Sequence, residues 1–215
     1  MKMKFDPDML KAYFVCGSQD LIGQDFEKLL EQCIESGITA FQYRDKGNSK
    51  LTDAQRLDLG RSLQEICKAT HVPFIVDDDV QMANALNADG VHVGQKDERI
   101  TKVVQEAAPG MIIGLSCQTV EQVHQANKID RIDYIGAGPI FPTSSKNDAV
   151  APMGLPLMKE MSQVSRVPFV AIGGIDDENV YDLKPNGAVG AAFISLVTKS
   201  NDVDRTIKNV LNAFA

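Results

Sequence analysis

The sequence predicts an α/β protein whose chain forms one (β/α)8 barrel, also called a TIM barrel. Short runs of β-branched and aromatic residues alternate with longer segments of helical apolar spacing, which is typical of parallel βα units. Eight such units can be counted along the 215 residues. This gives about 27 residues per unit, close to the ~30 that a βαβ unit needs and within the lower range for this barrel. We therefore assign residues 1–215 to a single barrel domain.

Each predicted strand is a short apolar run bounded by turn-forming residues. In chain order the strands are expected at 12–16, 40–42, 74–76, 90–93, 112–115, 134–136, 169–172 and 189–194. The intervening helical patterns lie near 23–36, 53–69, 79–87, 99–107, 119–127, 155–164, 177–183 and 202–213. An open doubly wound sheet would place a Gly-x-Gly-x-x-Gly turn after its first strand. The first strand here is followed by Gly17, Ser18 and Gln19, which do not form that motif.

Composition and charge exclude several classes of function. The chain carries 22 Lys and Arg against 29 Asp and Glu, a net charge of −7, which argues against nucleic-acid or anionic membrane partners. No apolar run is long enough to span a membrane, and no signal peptide is evident, so we expect a cytoplasmic protein. The four cysteines are too scattered for a disulfide framework or a zinc site. The sequence does not specify the oligomeric state, and a homo-oligomer is compatible with it.

The segment after the second strand is rich in charge. Loops that follow the strands line the mouth of such a barrel, where its catalytic residues lie. Gln42, Arg44 and Lys46 share one side if the segment stays extended, because side chains alternate along a strand. Two cations and an amide donor then converge. The alternative is a solvated strand end with ordinary surface charges.

Carboxylates follow the third and fourth strands. Such a pair suits Mg²⁺, which prefers oxygen ligands and is commonly held by one or two carboxylates plus substrate phosphates. Asp79 is expected to cap the next helix. For Asp78 and Asp97 a metal site is favoured over capping, because a cap does not require acids on both loops.

The later loops carry hydroxyls and a cation. Ser116 and Cys117 follow the fifth strand; no hydrolase triad is indicated, and Cys117 is expected to be a packing residue. The loop from Pro139 to Pro152 offers phosphate-binding groups, or is a plain polar loop of turn formers. Gly173 and Gly174, together with the end of strand 8, lie where barrels often bind a phosphate.

Four segments, in this order, resemble thiamine-phosphate synthase. They are residues 41–46 (FQYRDK), 88–97 (ADGVHVGQKD), 134–143 (YIGAGPIFPT) and 171–175 (AIGGI), and the match covers essentially the whole chain. The resemblance implies a transferase that joins hydroxymethylpyrimidine diphosphate to hydroxyethylthiazole phosphate, or its carboxylated form, and releases diphosphate. It also implies a dissociative reaction in which diphosphate leaves first and the thiazole nitrogen captures a pyrimidine methyl cation.

The resemblance also implies roles for individual residues and a Mg²⁺ cofactor held by Asp78 and Asp97. The implied catalytic residues are Arg44, Lys46, Ser116 and Lys146. The implied contacts of the pyrimidine diphosphate are Gln42, Arg44, Lys46, Ser116 and Lys146, and those of the thiazole phosphate are Thr143, Ser145, Gly174, Ile194 and Ser195. The further substrate-binding candidates are Tyr43, Asp45, Asp77 and Ser144.

Three positions depart from the family pattern. Asp77 stands where the family usually has Asn, which adds negative charge beside a diphosphate, so either the metal or the pKa of Asp77 must compensate. Gln118 replaces a common His, and Ser145 a frequent Thr. Two rival functions stay open: a thiazole tautomerase, which would lack the diphosphate and metal groups, and a noncatalytic sensor of a phosphorylated ligand. Retention of Arg44, Lys46 and the acids favours the synthase.

Overall fold

A computed structural model describes residues 3–95, 100–143 and 151–215 of the chain. Eight parallel strands close into a barrel whose spatial order follows the sequence, and β1 pairs with both β2 and β8. The strands are β1 Ala12–Cys16, β2 Ala40–Tyr43, β3 Phe74–Asp77, β4 Gly90–Val93, β5 Ile112–Cys117, β6 Tyr134–Ala137, β7 Phe169–Ile172 and β8 Gly190–Phe193. The predicted fold class is confirmed.

Helices connect most of the strands on the outside of the barrel. The helices are α1 Phe26–Glu35, α2 Asp53–Thr70, α3 Val80–Ala85, α4 Ile100–Glu106, α5 Val120–Ala126, α6 Gly154–Val164, α7 Ser195–Thr198 and α8 Val203–Ala213. Asp79 caps α3 as predicted, since its carboxylate accepts a 2.8 Å hydrogen bond from the Met82 amide. In these described ranges, no helix combines the length and apolar character that crossing a membrane would need.

The connection between β7 and β8 differs from the prediction of a helix at 177–183. It consists of two 3-10 turns, Asn179–Asp182 and Lys184–Asn186. Asp176 and Asn179 bond to each other's backbone amides, which closes a tight turn, and Pro185 sits within the second turn. This local bonding competes with helix formation. The short helix α7 was also not predicted.

Side chains alternate between two cores along each strand. Phe14 and Phe41 point outward into the layer between strands and helices, whereas Tyr13 points into the barrel. At the end opposite the mouth, the residues before β1 cover the interior, with Leu10 buried there and the Phe5 ring stacked 6.0 Å from Tyr134. Apolar side chains therefore fill the end of the barrel opposite the mouth, and polar residues collect toward the mouth.

One backbone position predicts a measurable gain in stability. His71 ends α2 in the left-handed conformation, with φ 59°. That conformation favours glycine. We expect His71→Gly to raise the free energy of unfolding by about 0.5–1 kcal/mol in urea titrations. Ala69→Gly, two residues earlier and exposed inside the helix, should lower it by about 1 kcal/mol. A loss of stability in both variants would contradict this account.

Candidate active site

Two cations and two carboxylates meet at the mouth, where β2 and β3 end. The Arg44 Nε lies 3.4 Å from Asp77 Oδ2, and the Lys46 Nζ lies 2.9 Å from the same oxygen. Lys46 also pairs with Asp78 Oδ2. Arg44 and Lys46 thus converge, as the extended geometry of this segment predicts. They meet on the carboxylates of the neighbouring strand, so the four charges form one cluster.

The cluster alters how its members bind protons. The side chain of Asp77 is only 9% exposed. Burial and the adjacent Asp78 raise the pKa of Asp77 to about 6, against the opposing effect of Lys46 and Arg44. Burial acts to lower the pKa of Lys46, but the two carboxylates outweigh it, and the pKa is raised. Asp77 therefore holds its negative charge less strongly than an ordinary carboxylate, and Lys46 stays cationic.

Asp78 has a fixed and unusual backbone. Its φ is 60°, which is uncommon for a residue other than glycine. Its amide donates to the His92 carbonyl (2.7 Å), and its Oδ1 accepts from the Gly94 amide (3.1 Å). The carboxylate is thus held against the loop after β4. Asp97, the partner predicted on that loop, lies outside the described residues.

The donor set fits a hard divalent cation. Asp78, the member of the predicted ligand pair that the structure describes, offers only oxygen atoms, and the Lys46 ammonium already lies against its carboxylate. Within the ranges that the structure describes, no group of three or more His, Cys, Asp or Glu could hold a metal. A magnesium ion bound by one or two carboxylates commonly completes its shell with water and substrate oxygens.

Two predicted substrate contacts serve the scaffold instead. The Tyr43 side chain is in the outer layer, beside Phe26 and Phe74, and its hydroxyl donates to the Arg56 carbonyl (3.1 Å). Asp45 is buried, and its Oδ2 accepts from the Ser18 amide (2.8 Å). Because side chains alternate along β2, Tyr43 faces away from the mouth while Gln42 faces into the barrel. The described hydrogen bonds of Tyr43 and Asp45 are therefore made to the protein scaffold.

A chain of polar side chains runs through the barrel below the charged cluster. Gln42 Nε2 donates to the Tyr13 hydroxyl (2.8 Å), which lies 2.8 Å from the Tyr134 hydroxyl. That hydroxyl is 3.1 Å from His92 Nδ1, and His92 Nε2 is 2.9 Å from Ser116 Oγ. The sequence patterns gave no functional role to His92 or to the two tyrosines. Their inward positions in the strand alternation were the available signal.

The loops after β6 and β7 are bonded to each other. Phe141 N donates to Gly173 O, and Ile140 N donates to Ile172 O, both at 3.0 Å. Gly174 lies against Phe141, and its carbonyl accepts from Asn179 Nδ2 (2.9 Å).

The other predicted phosphate contacts either lie near this pair of loops or belong to residues outside the described ranges. Thr143 is on the loop after β6, Ile194 is buried at the end of β8, and Ser195 begins α7. Ser144, Ser145 and Lys146 lie outside the described residues. Cys117 is fully buried, so the prediction that it packs is confirmed.

Comparison with known proteins places this geometry in a family. The family model described as thiamine monophosphate synthase matches residues 12–197. The chain belongs to this family. The thiamine-phosphate synthase of Lactiplantibacillus plantarum is 50% identical over 213 residues, which are 99% of this chain and 98% of that protein. The thiamine-phosphate synthase of Staphylococcus haemolyticus is 40% identical over 212 residues, which are 98% and 99% of the two chains.

A solved structure supports the same assignment to the thiamine monophosphate synthase family. Thiamine phosphate pyrophosphorylase from Pyrococcus furiosus superposes with a TM-score of 0.84 at 30% identity, covering 97% of this chain and 96% of its own. The match to the family model contains all four sequence segments that carry the resemblance. As a member of the family, the chain is an enzyme of the transferase class.

Proposed function

We propose that the enzyme condenses hydroxymethylpyrimidine diphosphate with hydroxyethylthiazole phosphate, or its carboxylated form, to give thiamine phosphate and diphosphate. The observation that carries this proposal is the cluster of Arg44, Lys46, Asp77 and Asp78 at the mouth. It supplies two cations for a diphosphate beside carboxylates for a divalent ion. Membership of the thiamine monophosphate synthase family supports the same substrates. The buried, free cysteines agree with a cytoplasmic enzyme.

Local charge outweighs the acidic balance of the whole protein. Surface charges are screened beyond ~8 Å at physiological salt. One contact between opposite charges at ~4 Å contributes about 4 kcal/mol at an effective dielectric constant of 20. Arg44 and Lys46, with Lys146 as a further predicted contact, would therefore hold the diphosphate despite the net charge of −7.

The proposed reaction breaks the bond between the pyrimidine methylene carbon and the diphosphate oxygen. Arg44 and Lys46 stabilise the negative charge that develops on the departing diphosphate. The thiazole nitrogen then forms a bond with the methylene cation, and both phosphate-bearing ligands are held so that the reacting atoms meet. Asp78 and Asp97 would hold Mg²⁺, which when bound neutralises part of the diphosphate charge. Lys46, now paired with Asp77 and Asp78, would then be available to the diphosphate.

The rival functions fit the mouth less well. A tautomerase would bind the thiazole phosphate alone and would need neither the paired cations nor the acids of β3. A noncatalytic sensor would not need a metal site opposite a second phosphate-binding site. The charged cluster therefore favours the synthase over both.

Product formation tests the proposal directly. With both substrates and Mg²⁺, the purified protein should form thiamine phosphate and diphosphate in equal amounts, measured by chromatography and a diphosphate assay. Excess EDTA should abolish both products, and added Mg²⁺ should restore them. Isomerisation of the thiazole phosphate without condensation would identify a tautomerase, and binding without turnover a sensor.

A further inference from the structure

The backbone pairing between β1 and β2 ends just before the two cations of the site. The last paired residues are Cys16 and Tyr43, and the Arg44 amide still donates to the Cys16 carbonyl (2.9 Å). Beyond Cys16 the chain turns away from β2 into a 3-10 turn that begins at Ser18. In a regular parallel ladder, the peptide groups of Ser18 would bond to the Arg44 carbonyl and the Lys46 amide. The turn removes both of these partners.

The side chain of Gln19 takes the place of the missing peptide groups. Its Nε2 donates to the Arg44 carbonyl (2.7 Å), and its Oε1 accepts from the Lys46 amide (3.2 Å). A carboxamide carries an N–H donor and a carbonyl acceptor, as a peptide group does. These are the two bonds that the backbone of Ser18 would make if β1 continued. Gln19 therefore extends the parallel pairing past the end of β1.

The orientation of the Gln19 amide follows from its backbone partners. The Arg44 carbonyl can only accept a hydrogen bond, and the Lys46 amide can only donate one. Exchanging the nitrogen and oxygen of Gln19 would place oxygen against oxygen and N–H against N–H at these two contacts. The second Nε2 hydrogen goes to Asp20 Oδ2 (2.8 Å), which also accepts from the Gly17 amide (2.9 Å). The amide is thus bonded on both sides.

Two neighbouring residues fit this arrangement. The Ser18 amide, which has left the ladder, donates to the buried carboxylate of Asp45 (2.8 Å). Gly17 has an extended backbone with φ −133°, which other residues adopt easily. Glycine is needed there for space, because a Cβ would overlap the Arg44 carbonyl oxygen and the Gln19 amide. The loops after β1 and β2 therefore pack tightly around the Gln19 side chain.

The bonds to Gln19 keep residues 44–46 extended beyond the end of β2. Alternate side chains of an extended segment share one side. Arg44 and Lys46 can therefore both reach Asp77, at 3.4 and 2.9 Å. A turn at Asp45 would direct the two cations to different sides.

We propose that Gln19 is a positioning residue, which holds Arg44 and Lys46 on one side of the mouth for a diphosphate. The inference deepens the proposed function and rests on it for the identity of the ligand. Gln19 acts through the backbone of residues 44–46 and not through a contact with the ligand. Its effect is therefore confined to the ligand that the two cations bind.

Amide hydrogen exchange in the ligand-free protein tests the two bonds without an assay of activity. Gln19→Met keeps the length of the side chain and removes both bonding groups. The Lys46 amide should exchange at least about tenfold faster in this variant, because it loses its acceptor. The Arg44 amide, which donates to Cys16, should keep its wild-type rate. An unchanged rate for the Lys46 amide overturns the proposal, whether or not the protein is a synthase.

The two substrates separate positioning from a general structural role. Gln19→Met should raise KM for the pyrimidine diphosphate about tenfold and leave KM for the thiazole phosphate unchanged. Calorimetric binding of inorganic diphosphate with Mg²⁺ should weaken by a similar factor. Gln24→Met is the matched control, since Gln24 lies on the same connection and bonds to the Thr198 carbonyl (3.3 Å). It should change neither KM value.

Equal rises in both KM values, or no change in either, would overturn the proposal. A different result would separate it from the proposed function. If the wild-type protein binds no diphosphate while the Lys46 amide responds to Gln19→Met as expected, the proposed substrate is wrong. The role of Gln19 in holding Arg44 and Lys46 then stands.

Discussion

Asp78→Asn should lower kcat/KM for the condensation by at least about 100-fold, while binding of the thiazole phosphate stays unchanged. Asparagine tolerates the left-handed backbone found at this position, φ 60°, and its amide oxygen can still accept from Gly94. The substitution therefore removes one negative charge, and with it the ion pair to Lys46 and the repulsion that helps to raise the pKa of Asp77. Loss of a metal ligand that stabilises a leaving group costs several kcal/mol, and each 1.36 kcal/mol is a factor of about ten in rate.

Asp79→Asn provides a matched control one residue away. Asp79 caps α3, and asparagine caps a helix about as well as aspartate. This variant should keep its stability and its rate of condensation. The measurements are steady-state rates for both substrates, calorimetric binding of the thiazole phosphate, and thermal unfolding. Activity of Asp78→Asn within tenfold of the wild-type protein would contradict a catalytic role for this carboxylate, and unfolding of Asp78→Asn would assign it a structural one.

The fold could be predicted from local sequence because each βα unit carries its own signal. Strand β1 was predicted at the bounds it has, since its apolar run is short and ends at Gly17. The connection before β8 could not be predicted in the same way. Its seven residues have helical spacing, but the mutual bonds of Asp176 and Asn179 close a turn that depends on side-chain geometry.

The positions of site residues could be predicted where functional side chains directly follow the end of a strand. Contacts inside the barrel could be predicted less well. Arg44 and Asp77 stand at the ends of adjacent strands, so their approach follows from topology alone. The contact between Tyr13 and Tyr134 joins residues 121 positions apart. It depends on the register of strands on opposite sides of the barrel, which a single sequence does not specify. The same limit applies to Asp45, whose bond to the Ser18 amide no local pattern indicates.

Gly174→Ala should raise KM for the thiazole phosphate by about 100-fold and leave binding of the pyrimidine diphosphate unchanged. Gly174 has φ 68°, and a Cβ there would lie 2.5 Å from the Pro142 carbonyl oxygen and 2.7 Å from the Phe141 backbone. These are backbone contacts that no rotamer change can relieve. The loop after β6 would have to move away from β7, and it carries Thr143, a predicted phosphate contact. A displacement near 1 Å at a binding site can cost about 100-fold.

Gly23→Ala serves as a control, because it places alanine in the same unfavourable backbone conformation without a steric clash. Gly23 has φ 72°, close to that of Gly174, but no atom lies within 4 Å of its added Cβ. Both variants should lose about 1 kcal/mol of stability because alanine disfavours the left-handed region, and Gly174→Ala should lose more because of its clash with the backbone of Phe141 and Pro142. Only Gly174→Ala should also lose affinity for the thiazole phosphate, measured by KM and by calorimetry. Equal effects on KM in the two variants, or a loss confined to the pyrimidine diphosphate, would show that this pair of loops does not bind the thiazole phosphate.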